Sequence, residues 1–126
     1  MFARTFAVLA LLAFGLAATA PPVTLTDRDS GRSVTLGVGQ TLAIRLPANP
    51  TTGYQWTAAA VGSRALVAGG AGRYVGPASG ALGAGGTEVF TYRGVAPGTA
   101  HLAFGYARSW EHVAPAQRAA FTVVVR

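Results

Sequence analysis

The chain has 126 residues and a formal net charge of +6, with ten arginines, no lysine and four acids. It has no cysteine, which excludes a disulfide framework, a thiolate nucleophile, a zinc knuckle and an iron–sulfur site. Half of the residues are hydrophobic, 51%, too many for a disordered charged tail, and the length suits one domain of about 100 residues.

The first twenty residues read as a targeting segment. Arg4 supplies a positive start, Phe6 to Ala18 runs apolar with Gly15 as its one interruption, and Ala18-Thr19-Ala20 has the small-x-small form of a signal-peptidase site. The run is shorter than the roughly 20 residues of a membrane span. Pro21 fits poorly after a scissile bond, and Gly15-Leu16-Ala17 is an alternative site. The expectation is a signal peptide over 1–20 and an exported, periplasmic or secreted domain over 21–126 that does not insert into a membrane. Without Arg4 the domain keeps nine arginines against four acids, 9 − 4 = +5.

Beyond the leader, apolar residues alternate with polar ones at period two, the pattern of half-buried strands. Val23-Leu25 and Val34-Leu36 flank the turn-rich Asp27-Arg28-Asp29-Ser30-Gly31, a hairpin or an edge where the chain switches sheets. Further on come Leu42/Ile44/Leu46, Tyr54/Trp56, Phe90/Tyr92, Leu102/Phe104/Tyr106 and Phe121/Val123/Val125. No helical stripe survives three turns without a Gly or Pro break. Short strands between turn signals predict an all-β fold, an immunoglobulin-like antiparallel β-sandwich of seven to eight strands. The arginines are scattered, never two in a row, which reads as a solvated basic surface and gives no nucleic-acid patch.

Three loops carry distinctive chemistry. In Asn49-Pro50-Thr51-Thr52-Gly53-Tyr54 the residue before proline is held extended, Pro50 fixes its own φ, the threonines are stiff and Gly53 permits a positive φ. Local chemistry alone suits a well-made turn, yet a turn that only reverses direction has no need of two β-branched hydroxyl residues at its tip. The glycine-rich stretch from Gly76 to Gly86 ends in Gly83-Ala84-Gly85-Gly86. It is either a flexible connection or exposed backbone for an extended partner, and it is no phosphate loop, because neither Lys-Ser/Thr nor a helix follows. The third loop, Ala107 to Ala116, holds Arg108-Ser109-Trp110-Glu111-His112. Trp110 is either core or a binding hot spot.

No catalytic arrangement assembles from the sequence. Ser109, His112 and Asp27 or Asp29 lack a nucleophile elbow and an oxyanion element. His101 and His112 lie 112 − 101 = 11 residues apart with few acids near, which is poor metal spacing. Glu88 and Glu111 fall on different elements. The chain reads as a non-enzyme with neither metal nor cofactor.

The three loops in this order resemble the chagasin-like family of cysteine-peptidase inhibitors, whose pattern is N-P-T-T-G-aromatic, then G-x-G-G, then R-P-W on an immunoglobulin-like fold. Here the third motif is Arg108-Ser109-Trp110, with Ser109 in the usual proline position. The resemblance implies that the loops are the B–C, D–E and F–G connections, clustered at one end of the sandwich. It further implies a monomeric, reversible, tight-binding inhibitor of papain-like (cathepsin L type) cysteine peptidases. Asn49, Pro50, Thr51, Thr52, Gly53 and Tyr54 would enter the active-site cleft. Gly83, Ala84, Gly85 and Gly86 would flank it on one side, and Arg108, Ser109 and Trp110 on the other. The alternative is an exported immunoglobulin-like adhesion or carbohydrate-binding module that uses Trp110, Tyr54 and the threonines on a sugar; a flat aromatic platform on a sheet face would mark it.

Overall fold

The alternating stretches form strands whose apolar halves turn to one shared interior. The computed structural model describes residues 20–80 and 83–126; the expected export segment, apart from Ala20, lies outside the described residues. Nine strands follow in order: β1 (Val23–Thr26), β2 (Ser33–Leu36), β3 (Thr41–Ala48), β4 (Tyr54–Ala58), β5 (Leu66–Ala68), β6 (Arg73–Val75), β7 (Gly86–Gly94), β8 (Gly98–Arg108) and β9 (Gln117–Val125). Among the described residues helical geometry is confined to two single 3-10 turns, Asp27–Asp29 and Pro50–Thr52.

The strands make two packed sheets. One has the order β1-β3-β7-β5, with β6 also on β7; the other has the order β2-β9-β8-β4. Leu42, Ile44 and Leu46 of β3 are fully buried, as are Val123 and, within 2%, Leu102 and Phe121 of the facing sheet. Each such side chain contributes about 1.5–3 kcal/mol by leaving water. Phe90 meets Phe104 across the interior at 5.0 Å between ring centroids, and Phe104 meets Phe121 edge-on at 6.0 Å.

The all-β sandwich is as expected, with two differences in detail. Nine strands replace seven or eight, because β5 and β6 are three residues each, too short to display an alternation. The sheets are mixed rather than purely antiparallel: β1 runs parallel to β3, and β2 parallel to β9. The cause is the turn after β1, which resolves as a sheet switch and not a hairpin. Thr26 caps it, its hydroxyl accepting from Arg28 N at 3.3 Å while its own N–H donates to Asp29 Oδ2 at 2.9 Å. Gly31, at φ 89°, then carries the chain across and donates its N–H to Ala120 O at 2.7 Å.

Register decides where the loops emerge. Ala48↔Gly86, Tyr54↔Arg108 and Tyr106↔Gln117 are the terminal pairs of their ladders. The β3–β4, β6–β7 and β8–β9 connections therefore leave from one pole. At the other pole Gln40 Nε2 donates to Pro21 O at 2.7 Å and Val38 N to Arg126 O at 3.2 Å, so both ends of the described chain lie opposite the loops.

Tyr92 stands in this interior, 3% exposed, and burial pushes its phenol from 10.0 up to about 12. The folded state thus prefers the neutral form, and the stability this confers is intact below pH 10 and lost as pH climbs from 10 toward 12. Thermal unfolding followed across that window is expected to show a midpoint falling by several degrees, with a shallower fall in Tyr92→Phe.

Candidate functional site

The first loop is a single 3-10 turn built around Asn49. Asn49 is extended (φ −135°, ψ 96°), as proline after it requires, and Gly53 closes the turn in the left-handed region (φ 81°). Thr52 N donates to Asn49 O at 3.2 Å and Gly53 N to Pro50 O at 3.0 Å. Asn49 Oδ1 accepts from Thr51 N at 3.2 Å and from Thr51 Oγ1 at 2.6 Å, while Thr52 Oγ1 donates to Asn49 O at 2.7 Å. Both threonines are exposed, yet both hydroxyl protons are engaged inside the loop. The two β-branched residues at the tip are accounted for by this: each is stiff, and each binds its own turn.

Three contacts join the loops into one body. Asn49 Nδ2 donates to Gly83 O at 3.0 Å, tying the first loop to the glycine loop. Arg108 Nε donates to Thr52 O at 3.0 Å, tying it to the third. The Trp110 ring lies so close over Gly53 that a Cβ there would overlap it, so glycine is required by space as well as by φ. Trp110 itself is 64% exposed, which settles the choice between core and surface in favour of surface.

A ledge of aromatic rings supports this body from beneath. Tyr54 stacks on Tyr106 at 5.2 Å, Trp56 tilts against Tyr106 at 4.9 Å, and the Arg108 guanidinium sits 4.4 Å from the Tyr54 centroid. A cation over an aromatic face at such a half-exposed position contributes about 0.5–1 kcal/mol. Tyr106, 8% exposed, accepts the Asn49 N–H on its hydroxyl at 3.0 Å. Trp56 Nε1 donates to Pro47 O at 2.8 Å, and Trp56 N donates to Glu88 Oε1 across the sandwich at 3.0 Å.

Each sequence-predicted residue has a place here. Asn49, Pro50, Thr51, Thr52 and Gly53 form the first loop, and Tyr54 opens β4. Gly83, Ala84 and Gly85 make the second loop, with Gly86 already in β7, where a Cβ would overlap Val75 O. Arg108 ends β8, and Ser109 and Trp110 form the turn beyond it, closed by Glu111 N donating to Arg108 O at 3.2 Å. Ser109 occupies the second position of that turn, where proline would be favoured, and an Arg108–Glu111 ion pair at 3.7 Å spans it.

Sequence reasoning missed three participants: the Tyr106 hydroxyl, the Glu88 carboxylate and Glu111. A tyrosine at the loop end of a strand whose other inward aromatic is Phe104 was the available signal, since a buried phenol needs a partner. The two glutamates, weighed as a catalytic pair, are each engaged by backbone or arginine. No group of three or more His, Asp or Glu side chains able to hold a metal is present among the described residues.

The family model described as "Chagasin family peptidase inhibitor I42" matches residues 35–125, a span that contains all three loops. The chain is 35% identical to chagasin of Trypanosoma cruzi over 91 residues, covering 68% of this chain and 81% of that one. Among solved structures it is similar to the cysteine protease inhibitor EhICP2 of Entamoeba histolytica, with a TM-score of 0.72 at 22% identity, covering 84% of this chain and 96% of that one. PbICP-C, solved in complex with falcipain-2, gives 0.62 at 17% identity over 82% and 99%. The two structural likenesses show the fold alone.

Asn49→Asp preserves the acceptor for Thr51 but loses the donor to Gly83 O. It is expected to cost about 1 kcal/mol of stability and to release the second loop selectively. Amide hydrogen exchange should quicken around Gly83–Gly86 and stay unchanged in β8 and β9.

Proposed function

Because the chain belongs to the chagasin family of peptidase inhibitors, we propose that it inhibits papain-like cysteine peptidases of the cathepsin L type, reversibly, as a monomer and without a cofactor. The Asn49–Tyr54 loop enters the active-site cleft, the Gly83–Gly86 loop runs along one wall, and Arg108–Trp110 packs on the other. The observation that carries this reading is the bonding of three separate connections into a single projecting edge. The match to a peptidase-inhibitor family over residues 35–125 supports a peptidase as the partner class. The leader-like first twenty residues support an inhibitor that is exported, to the periplasm or beyond.

The mechanism is occlusion by a loop that resists becoming a substrate. Cleavage requires a carbonyl placed against the nucleophile with its oxygen among oxyanion donors. The carbonyls of Asn49, Pro50 and Thr52 accept hydrogen bonds from Thr52, Gly53 and Arg108 within the inhibitor itself. Delivering one of them to the peptidase would mean opening the turn. The same bonds keep the unbound ensemble narrow, so little ordering entropy is lost on association.

Trp110 adds the apolar anchor. Its ring stands on Gly53 and is otherwise open to a partner, the arrangement in which a tryptophan contributes about 2 kcal/mol or more to binding.

The alternative of a sugar-binding module loses its footing on the same observations. Both threonine hydroxyl protons are committed, and the rings of Tyr54, Trp56, Phe90 and Phe104 face the interior instead of forming a platform on a sheet.

Titrating papain with residues 21–126 under reducing conditions tests the reading: reversible inhibition with the inhibitor recovered uncut is expected, and a folded protein that leaves papain active at high micromolar concentration overturns it. Thr51→Arg should weaken inhibition by about 100-fold or more at unchanged circular dichroism, since a bulky charge at the tip is desolvated in the cleft. Trp110→Ala should raise the dissociation rate about 30-fold, corresponding to about 2 kcal/mol.

A further inference from the structure

The outer face of the first sheet has a composition that peptidase inhibition does not use. Strand register places Thr26, Arg45, Val89 and Arg73 in one row across β1, β3, β7 and β6. A second row aligns Thr24, Ala43 and Thr91, and a third aligns Thr41, Arg93 and Val67. The alternation is fixed by the neighbours on each strand: Ile44, Phe90 and Tyr92 are buried, and Glu88 reaches inward to Trp56 N. Arg45, Arg73 and Arg93 therefore share the outward side, and all three are exposed.

No acid stands on this face. Of the four acids, Glu88 points inward, Glu111 pairs with Arg108 at the loops, and Asp27 and Asp29 lie in the turn beyond the β1 edge, where Asp29 is engaged by Thr26 N and Arg32. Among the described residues Arg45, Arg73 and Arg93 make neither an ion pair nor a side-chain hydrogen bond. Val89, between Arg45 and Arg73, is nevertheless only 6% exposed, the burial expected where arginine stems lie along a sheet and keep their heads in water. Arg45 and Arg73 are two strands apart, about 10 Å, and Arg93 lies four residues along β7 from their row, about 13 Å. Among the described residues the outward side of the β8–β9 ladder has one arginine, Arg118 near its loop end, beside Ala103, Gly105 and Ala120.

We propose that this face binds an acidic polysaccharide, a chain bearing carboxylate or sulfate groups, while the three loops stay free. The planar guanidinium fork matches carboxylate and sulfate oxygens in pairs. The exposed hydroxyls of Thr24, Thr41 and Thr91 lie between and beside the arginines and suit sugar hydroxyls. A face three rows deep, with arginines on its first and third rows, accepts an extended polymer better than a compact anion. Among the described residues nothing aromatic stands on the face, so bases have no surface there on which to stack. Among the described residues Val67 is the one large apolar side chain on this face that is half exposed, too little to insert into a bilayer.

Affinity electrophoresis of residues 21–126 in native gels cast with polygalacturonate tests the proposal. Retardation is expected that fades with added salt. The triple variant R45Q/R73Q/R93Q should weaken binding about 10-fold or more. R28Q/R64Q/R126Q removes the same charge from other exposed positions and should change binding less than about 3-fold. Equal losses in the two triples would mean that net charge alone attracts the polymer, and no loss in the first would mean that the face is idle; either overturns the proposal. Tighter binding, through the same three arginines, to a single-stranded oligonucleotide or to phosphatidylglycerol vesicles overturns the ligand class. Thermal midpoints establish that each triple is folded, independently of any effect on papain.

Discussion

Asn49 makes six hydrogen bonds, and the geometry of the whole loop pole follows from them. Its N–H donates to Tyr106, its side-chain amide to Gly83, and its two oxygens each accept from one backbone N–H and one threonine hydroxyl. Only asparagine supplies a donor and a two-fold acceptor on one short side chain at the head of a turn. The first loop, the second loop and the end of β8 are thereby set relative to one another by a single residue. Because that residue precedes a proline, its own backbone is held extended, which aims the six bonds before any partner arrives.

Beneath Asn49 the structure transmits order from core to rim. The interior is apolar where the sheets are widest apart from solvent, and it becomes amphipathic toward the loops: Phe104 gives way to Tyr106 on β8, and Phe90 to Glu88 on β7. Each replacement keeps an apolar body inside and offers one polar atom to the next layer. Glu88 serves the edge of β4, occupying the Trp56 N–H that would otherwise remain open to a strand from another chain. Arg108 performs the corresponding task at the end of β8, resting on Tyr54 and holding Thr52. The rim is therefore tied to the strands that support it, although it is made of loops.

The architecture was legible wherever one face of a strand is buried. Leu42/Ile44/Leu46 and Leu102/Phe104/Tyr106 alternate with small or polar residues that lie on the outer faces, and the structure returns those faces unchanged. The motif residues were legible too, since proline, glycine and paired threonines each limit the backbone locally. What was not legible depends on partners far apart in the chain. Asn49 and Gly83 are 34 residues apart, Arg108 and Thr52 are 56 apart, and no local pattern announces either pair. Strands β5 and β6 are visible only as additions to β7, because three residues among alanines and glycines carry no period. The parallel pairings of β1 and β2 follow from a crossing whose direction depends on which sheet has room for the strand. Trp110 was open for a related reason: its exposure rests on contact with Gly53, in another loop.

The two ends of the described chain emerge together at the pole farthest from Asn49, one beside Gln40 and the other beside Leu36. This makes the domain a natural presentation head. Whatever is joined at either end, whether a linker, a second module or the solid support of an assay, is carried behind the molecule, and the three loops face outward. Termini and loops are mechanically separated by the full length of β3, β7, β8 and β9, so a load applied at the ends must be borne by strand ladders before it can reach the turn around Pro50.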